Sequence, residues 1–434
     1  MDVATRSLRQ RVETVLRVGS LLLLGVLVAQ AVKASTDRPS RRANSAELPE
    51  SLVLWSTRES PERVHVAFDS TPSATTRDWL AALSGTGTRT SWSGDSLVPT
   101  ALAVEPVADP RHPSRIWVAA PAGAHIAVTD DLGAVDSATA GPGGALFRVP
   151  ALTGTARAIV GGSTAVAPTP DSLTVRPVLV LGIAGWESKF IVASLEEWGW
   201  KVNARLALAP TGDVTLGPSV VRLDTAHYSA VIALDSSAMR HLRRIGEYVR
   251  SGGGLIAVGD AAGARGLLPL LPARAMGSAS RPGVFTTDSS DARRSLALSP
   301  LVRLHAGAIP LENRDNDVAI AAHRVGNGRV LQLGYRDTWR WRMGGPKDPV
   351  AAYRAWWSDL VSKVAYAPRN TVDVVQPMEP TPLASLVATL GARSPAIEVT
   401  GNPWRDPRLT RIMFGVLLGM LVLEWASRRL GGRP

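Results

Sequence analysis

The chain has 434 residues, 45% of them hydrophobic and 20% charged, an ordinary globular composition that argues against disorder throughout. It contains no cysteine, which excludes disulfides, thiolate metal sites and cysteine nucleophiles but does not fix a redox compartment. The net charge of +11 is carried mainly by arginine, without the interleaved basic and aromatic residues of a nucleic-acid motif, so nucleic acid is not an expected partner. His65, His112, His125, His227, His241, His305 and His323 are scattered without metal-ligand spacing, and neither a metal nor another cofactor is expected.

Much of the basic excess flanks two apolar runs. VGSLLLLGVLVAQAV (18–32) follows Arg6, Arg9, Arg11 and Arg17, and IMFGVLLGMLVLEWA (412–426) precedes Arg428, Arg429 and Arg433. A spanning helix needs roughly 17 to 25 residues, which each run reaches only with its flanks. The sequence therefore predicts a cytoplasmic N-terminus (1–17), a transmembrane helix or signal anchor (18–33), a second transmembrane helix (409–427) and a cytoplasmic tail (428–434). The terminal arginines place the main domains on the extracytoplasmic side of a bacterial cytoplasmic membrane, although Arg405, Arg408 and Arg411 pull the other way. A cleaved signal peptide, with small residues near Val32 and Ala34, is the alternative for the first run. Glu424 reads as interfacial and Trp425 as an interface anchor.

Between the two spans, residues 34–60 are rich in Ser, Arg and Pro and read as a linker. Residues 61–96 read as a small α/β unit: RVHVAFD and TRTSWSG as strands around the helical TTRDWLAALSG. From 97 to 175, short apolar runs between Gly, Pro and Asp predict a β-sandwich of immunoglobulin-like style. In 176–366, the buried runs PVLVLG, SAVIAL and LIAV alternate with amphipathic segments, which predicts an α/β fold with a doubly wound, mainly parallel sheet. Asn327-Gly328 marks a hairpin, and Tyr353, Trp356, Trp357, Leu360, Val361 and Val364 mark the apolar face of a last helix. Residues 367–408 read as a tether.

The turn GGGLIAVGDAAGARG (252–266) raises the question of chemistry, because a Gly-rich strand-to-helix elbow is where several α/β enzymes expose a nucleophile. The order PVLVLGIAGWES, SAVIALDSS, EYVRSGGGLIAVGDAAG, GNGRVLQLGYRDTWRWRMG resembles the class I glutamine amidotransferase-like fold over 176–366, together with the closing EWASRR. It looks like bacterial membrane-anchored proteins that carry such a domain outside the membrane and are often encoded near von Willebrand A-type membrane proteins. That resemblance implies other membrane proteins as partners. In the catalytic family the elbow reads Gly-x-Cys-x-Gly. Gly259-Asp260-Ala261-Ala262-Gly263 keeps both glycines, with Ala261 where the cysteine would stand. The segment after VLQLG continues Tyr335-Arg336-Asp337 without the family's histidine, so glutaminase chemistry is excluded and no catalytic residue is assigned.

What remains is a set of candidate ligand- or partner-binding residues: Gly182, Gly185, Trp186, Glu187, Asp235, Ser236, Asp260, Ala261, Arg336, Asp337, Trp339 and Arg340. Each has a plain structural counterpart. Asp260 reads as a turn aspartate capping backbone N–H groups, and Ser236 or Ser237 as the N-cap of the next helix. Gly182 to Gly185 resembles a phosphate-cradling turn only loosely, lacking the third glycine of GxGxxG and the lysine of a P-loop. The tryptophans of TWRWR read as packing against Trp356 and Trp357, with Asp337 pairing an arginine to hold the loop. The sequence supports a non-catalytic, membrane-anchored binding or assembly module. The alternatives are an unconventional hydrolase using Asp260 or Ser236, and a glycan or anion sensor built on the Trp-Arg loop.

Overall fold

The computed structural model describes residues 3–36, 40–58, 61–171, 173–209, 212–218, 222–277, 279–285, 292–367, 378–395 and 407–430. It is an α/β protein with mixed sheets and a long apolar helix near each end. Most of the predicted tether and the last four residues lie outside the described residues.

The first helix, α1 (Val3–Thr36), is followed at once by β1 (Ser40–Asn44) and α2 (Leu48–Thr57). The expected linker is therefore largely folded. Its polar composition hides a strand whose one buried side chain is Ala43, and a helix that buries Leu48, Leu52 and Trp55 at i, i+4 and i+7. Then come β2 (Arg63–Ala67), α3 (Ala74–Gly85), which Ser73 caps through Thr76 N–H, and β3 (Arg89–Ser93). The three strands pair in parallel in the order β1-β2-β3.

The seven strands of 97–175 are β4 (Ala101–Pro106), β5 (Ser114–Ala119), β6 (His125–Asp130), β7 (Gly133–Thr139), β8 (Ala145–Val149), β9 (Thr155–Val160) and β10 (Ser163–Pro168). They form two antiparallel sheets, β4-β5-β8 and β10-β9-β6-β7. One core joins the two sheets, with Ile116, Val118 and Phe147 from one and Ile126, Val128 and Val160 from the other. The alternation of apolar and polar residues places these side chains inward.

In the third unit, β11 (Val178–Ile183), α4 (Trp186–Trp198), β12 (Val202–Ala209), β13 (Gly212–Leu216), β14 (Ala230–Ala233), α5 (Leu242–Arg250) and β15 (Gly254–Ala257) follow in turn. The short strands β16 (Arg274–Ala275), β17 (Ala297–Leu298) and β18 (Leu301–Val302) lead to β19 (Ile309–Arg314), β20 (Asp317–Val325), β21 (Gly328–Leu333) and β22 (Tyr335–Arg336). Helices α6 (Trp339–Gly344) and α7 (Pro349–Val364) close the unit.

Five strands, β12-β11-β14-β15-β21, are parallel. The sheet is nevertheless mixed rather than mainly parallel, because β13 joins one edge antiparallel and β20, β18, β16 and β19 extend the other. Connections as short as those of β12–β13 and β20–β21 can only return the chain antiparallel; a parallel neighbour needs a crossover of a dozen residues or more. α4 and α7 cover one face with Ile191, Leu195, Tyr353, Trp357 and Val361, and α5 covers the other with Ile245 and Val249. Each such fully buried side chain contributes roughly 1.5–3 kcal/mol of transfer free energy, which is why the periodic apolar faces form helices at all.

After α7 the chain returns first to the sandwich and then to the N-terminal unit. Glu379 exchanges backbone hydrogen bonds with Val166, and Leu102 N–H donates to Pro380 C=O. Helix α8 (Pro382–Leu390) then buries Leu386 among Leu80, Val66 and Trp92, and the Trp92 indole donates to Gly391 C=O at 2.9 Å. Part of the predicted tether is thus core. The last helix, α9 (Pro407–Leu430), pairs antiparallel with α1: the Arg17 guanidinium meets Glu424 at 2.6 Å, Ser427 Oγ donates to Glu13 at 2.9 Å, and Gln30 faces Met413. Arg11–Val32 and Arg408–Ser427 are long and apolar enough to cross a membrane.

Since α8 closes a core 300 residues away in sequence, Leu386→Ala should destabilise the N-terminal unit by about 3 kcal/mol, the usual range of a Leu-to-Ala cavity. Amide exchange should accelerate in β2 and β3 and stay unchanged in β11, β14 and β15. Equal acceleration in all five strands would show that the two units do not melt separately.

Candidate functional site

The carboxyl ends of β11, β14, β15 and β21 form one edge of the large sheet, the position where open α/β folds bind ligands. The loops leaving these strands carry Gly182 to Glu187, Asp235 and Ser236, Asp260 and Ala261, and Arg336 to Arg340. The structure brings all the predicted residues to one edge and gives them different tasks.

Asp235 is spent on the backbone. Its Oδ2 accepts from Ile183 N–H at 2.6 Å and its Oδ1 from Ser237 N–H at 2.8 Å, so it joins the ends of β11 and β14 and is itself the cap of the 3-10 turn Ser236–His241. The expected serine cap is therefore corrected: a carboxylate already occupies the capping position, and Ser236 is an exposed residue within the turn. Gly182 lies against this carboxylate, where a Cβ would come within 3.1 Å of Asp235 Oδ2. Gly185 is the extended residue before α4, and its N–H donates to Ser188 Oγ at 3.0 Å.

At the elbow the strained position is Gly259, with φ +56 and a notional Cβ 2.7 Å from Leu234 C=O. Ala261 follows in ordinary backbone, fully buried in the core with Leu181, Ile245 and Leu267. The Ala261 methyl is wholly buried in that core and offers no exposed surface at the edge, unlike the candidate binding residue expected there. Asp260 is the residue the turn exposes, its side chain 68% accessible, and it forms an ion pair with Arg336. The expectation that Asp260 caps the turn fails, because its carboxylate makes no bond to the turn backbone and has the guanidinium instead. The arginine's partner is likewise Asp260 rather than Asp337. β22 fixes this geometry by pairing Arg336 with Ala297 of β17.

Below the turn, the buried Gln332 donates to Ala262 C=O at 2.7 Å and accepts from Ala273 N–H at 2.9 Å, pinning the elbow to β21. Sequence reading missed Gln332, because a polar residue inside VLQLG shows its partner only once β15 and β21 are paired.

Glu187, in the first turn of α4, reaches across to the loop after β22. Thr338 Oγ1 and Trp339 N–H lie 2.5 and 3.1 Å from its two carboxylate oxygens, and Thr338 Oγ1 lies 2.9 Å from the Tyr353 hydroxyl. Burial pushes the Glu187 carboxyl above its ordinary range; the bonds from Thr338 and Trp339 oppose this, and the charge of Asp337 adds to it. Burial likewise pushes the Tyr353 phenol well up. Thr338 and Tyr353 had no sequence signal as site residues: Thr338 meets Glu187 from about 150 residues away in the chain, and Tyr353, its other partner, reads from spacing only as part of the apolar face of α7.

The tryptophans of TWRWR divide. Trp341 is buried edge-on against Tyr353 and Trp356, as packing predicts. Trp339 instead stacks on Trp186 with ring centres 6.2 Å apart, and Trp186, 56% exposed, also stacks on Phe190 and lies under the Lys189 ammonium. Beside this stack is a depression of about 370 Å³ lined by Ala184, Gly185, Trp186, Ser188, Lys189 and Leu206. Arg340 is exposed. Asp337 is exposed at φ +53, and its C=O accepts from Arg340 N–H. Among the described residues no group of His, Cys, Asp and Glu could hold a metal ion.

The raised pKa of Glu187 gives a signed prediction. A carboxyl that binds its proton more tightly in the folded state adds stability at low pH, and that contribution is lost as pH rises from the unfolded value through the folded one. Glu187→Gln, neutral at every pH, should flatten this fall and hold or raise the melting temperature at neutral pH. Glu187→Ala should cost about 2 kcal/mol by leaving Trp339 N–H unpaired and Thr338 with Tyr353 as its remaining partner. A Gln variant less stable than the parent at neutral pH would show that the group is an ionised partner rather than a protonated one.

No family model and no curated protein matches the chain. Among solved structures it is similar to two cytoplasmic proteins of Salmonella typhimurium. One is 13% identical over 44% of this chain and 100% of that one, with a TM-score of 0.31; the other is 15% identical over 43% and 98%, with a TM-score of 0.30. It is also similar to a carbohydrate deacetylase, Agd3, at 13% identity over 45% of this chain and 34% of that one, with a TM-score of 0.29. At such scores the reading of this protein rests on its own geometry.

Proposed function

We propose that the chain is a membrane-anchored, non-catalytic binding or assembly module of the bacterial cell envelope, built on a degenerate glutamine amidotransferase-like domain. The observation that carries this reading is the elbow. Its buried position holds a methyl group facing the core, and its exposed position holds an aspartate paired with Arg336. Nucleophilic catalysis needs a nucleophile within hydrogen-bond reach of a base that is itself oriented. At this edge the carboxylates of Asp235 and Glu187 are held by backbone N–H groups and Thr338, and that of Asp260 by a cation. The five parallel strands, in the order second-first-third-fourth-fifth of flavodoxin-like sheets, support the resemblance in fold. What the edge offers is recognition: an exposed charge pair, and an exposed tryptophan beside a shallow depression.

The two apolar helices support membrane anchoring, and their antiparallel pairing puts the start of α1 and the end of α9 at the same end of the pair. With the terminal arginines on the cytoplasmic side, the folded units face the envelope, and their partners are other membrane proteins, von Willebrand A-type proteins among them. The Trp186–Trp339 stack favours one second reading, a glycan sensor, since exposed tryptophan faces suit sugar rings.

Three measurements test these readings. Purified protein should release no ammonia from glutamine, and neither should Ala261→Cys, whose thiol would sit in the core without a histidine; release by either overturns the non-catalytic reading. Arg336→Ala should weaken capture of membrane partners while changing stability by less than about 1 kcal/mol, the ceiling for an exposed pair; loss of stability without loss of capture would make the pair structural. Reporter fusions at position 250 should label outside the cytoplasm and fusions at both termini inside; cytoplasmic labelling at 250 overturns the envelope-facing orientation.

A further inference from the structure

We infer that the face of the N-terminal sheet that no described helix covers is a docking surface for the anionic phospholipid headgroups of the membrane that α1 crosses; the inference rests on that spanning reading. Parallel register sets Ser40, Arg63 and Arg89 in one row across the sheet, Arg42, His65 and Ser91 in the next, and Asn44, Ala67 and Ser93 in the third. Alternate residues of a strand share a face, so these nine lie together. The opposite face, with Ala43, Val64, Val66 and Trp92, is the one that α2, α3 and α8 cover.

The nine-residue face is cationic. Arg42, Arg63 and Arg89 are exposed; Glu62 lies 3.8 Å from Arg63 Nε, and the exposed Asp69 and Asp95 follow β2 and β3 beyond the third row, Asp95 paired with Arg393. Between them His65 is 1% exposed, its two ring nitrogens each 3.0 Å from the hydroxyls of Ser91 and Ser93. Guanidinium groups on a sheet face present forks to phosphate oxygens across an area rather than into a pocket, which suits a planar layer of headgroups.

Position supplies the second argument. The apolar stretch of α1 ends at Val32, the helix ends at Thr36 and β1 begins at Ser40. Four helical residues add about 6 Å, and the connection from Thr36 to Ser40 spans at most about 14 Å. The basic face is therefore held within about 20 Å of the end of the span, close enough for anionic headgroups of the outer leaflet to attract its arginines. The tether removes most of the entropic cost of finding that surface.

The absence of native cysteine makes a site-directed spin label clean. The full chain carrying Ser91→Cys on this face, or Ser84→Cys on the exposed side of α3 as control, would be placed in phosphatidylcholine nanodiscs with and without phosphatidylglycerol. Accessibility to a water-soluble relaxing agent should fall at position 91 only when phosphatidylglycerol is present, stay high at position 84, and recover at about 1 M salt, where the Debye length is about 3 Å. Replacing all three arginines, R42Q, R63Q and R89Q, should lower the docked-to-undocked ratio by about 100-fold, at roughly 1 kcal/mol per charge and tenfold per 1.4 kcal/mol. Equal accessibility at position 91 in both discs overturns the proposal, and so does protection without phosphatidylglycerol or protection that survives the triple change in a protein of unchanged melting temperature. A chain that does not enter the discs overturns the spanning reading and this proposal with it.

Discussion

The pairing of α1 with α9 sets the terms for the rest of the molecule. Arg17 with Glu424, and Glu13 with Ser427, hold the two helices antiparallel, so the folded part begins and ends at the same surface. A chain under that constraint has to come back after building its largest unit. It does so through Glu379 and Pro380, which add backbone bonds to the sandwich, and through α8, which completes the core around Leu386. The N-terminal unit thus takes elements from both ends of the sequence.

Further along, the sandwich and the third unit are tied to each other by polar contacts. Asp109 of the sandwich accepts from the Trp198 indole at 2.8 Å, Arg111 donates to the last carbonyls of α4 and lies over the Trp198 ring, and Arg148 pairs with Asp359 of α7. Arg111 thereby satisfies the carbonyls that the end of a helix leaves without partners. This junction lies where α4 ends, whereas the candidate binding edge lies where α4 begins. One helix therefore carries both the docking of the sandwich and, through Glu187 and Trp186, the shape of the edge.

Periodic apolar segments were the legible part of the sequence. The buried strands, the faces of α4 and α7, the sandwich strands and the two apolar spans all follow from spacing that any observer could mark. β1 was not legible, because a strand with only Ala43 buried has no apolar alternation; its partner strand, 20 residues on, defines it. α8 was hidden for a related reason, since its core lies in a unit 300 residues earlier. The mixed character of the large sheet followed from the short connections, a cue that the strand-helix alternation of the first half masked.

The candidate edge shows a finer limit. The residues converge as expected, yet their tasks turn on which side chain faces out of a tight turn, and adjacent positions face opposite ways. Because the positive φ falls on Gly259, the turn sends Asp260 outward and Ala261 into the core. Ala261 is a packing position, fully buried in the same core as Leu181, Ile245 and Leu267, and a larger side chain there would overpack it. The side chain that the turn exposes, that of Asp260, is held by the Arg336 guanidinium, so what the turn presents at the edge is a charge pair.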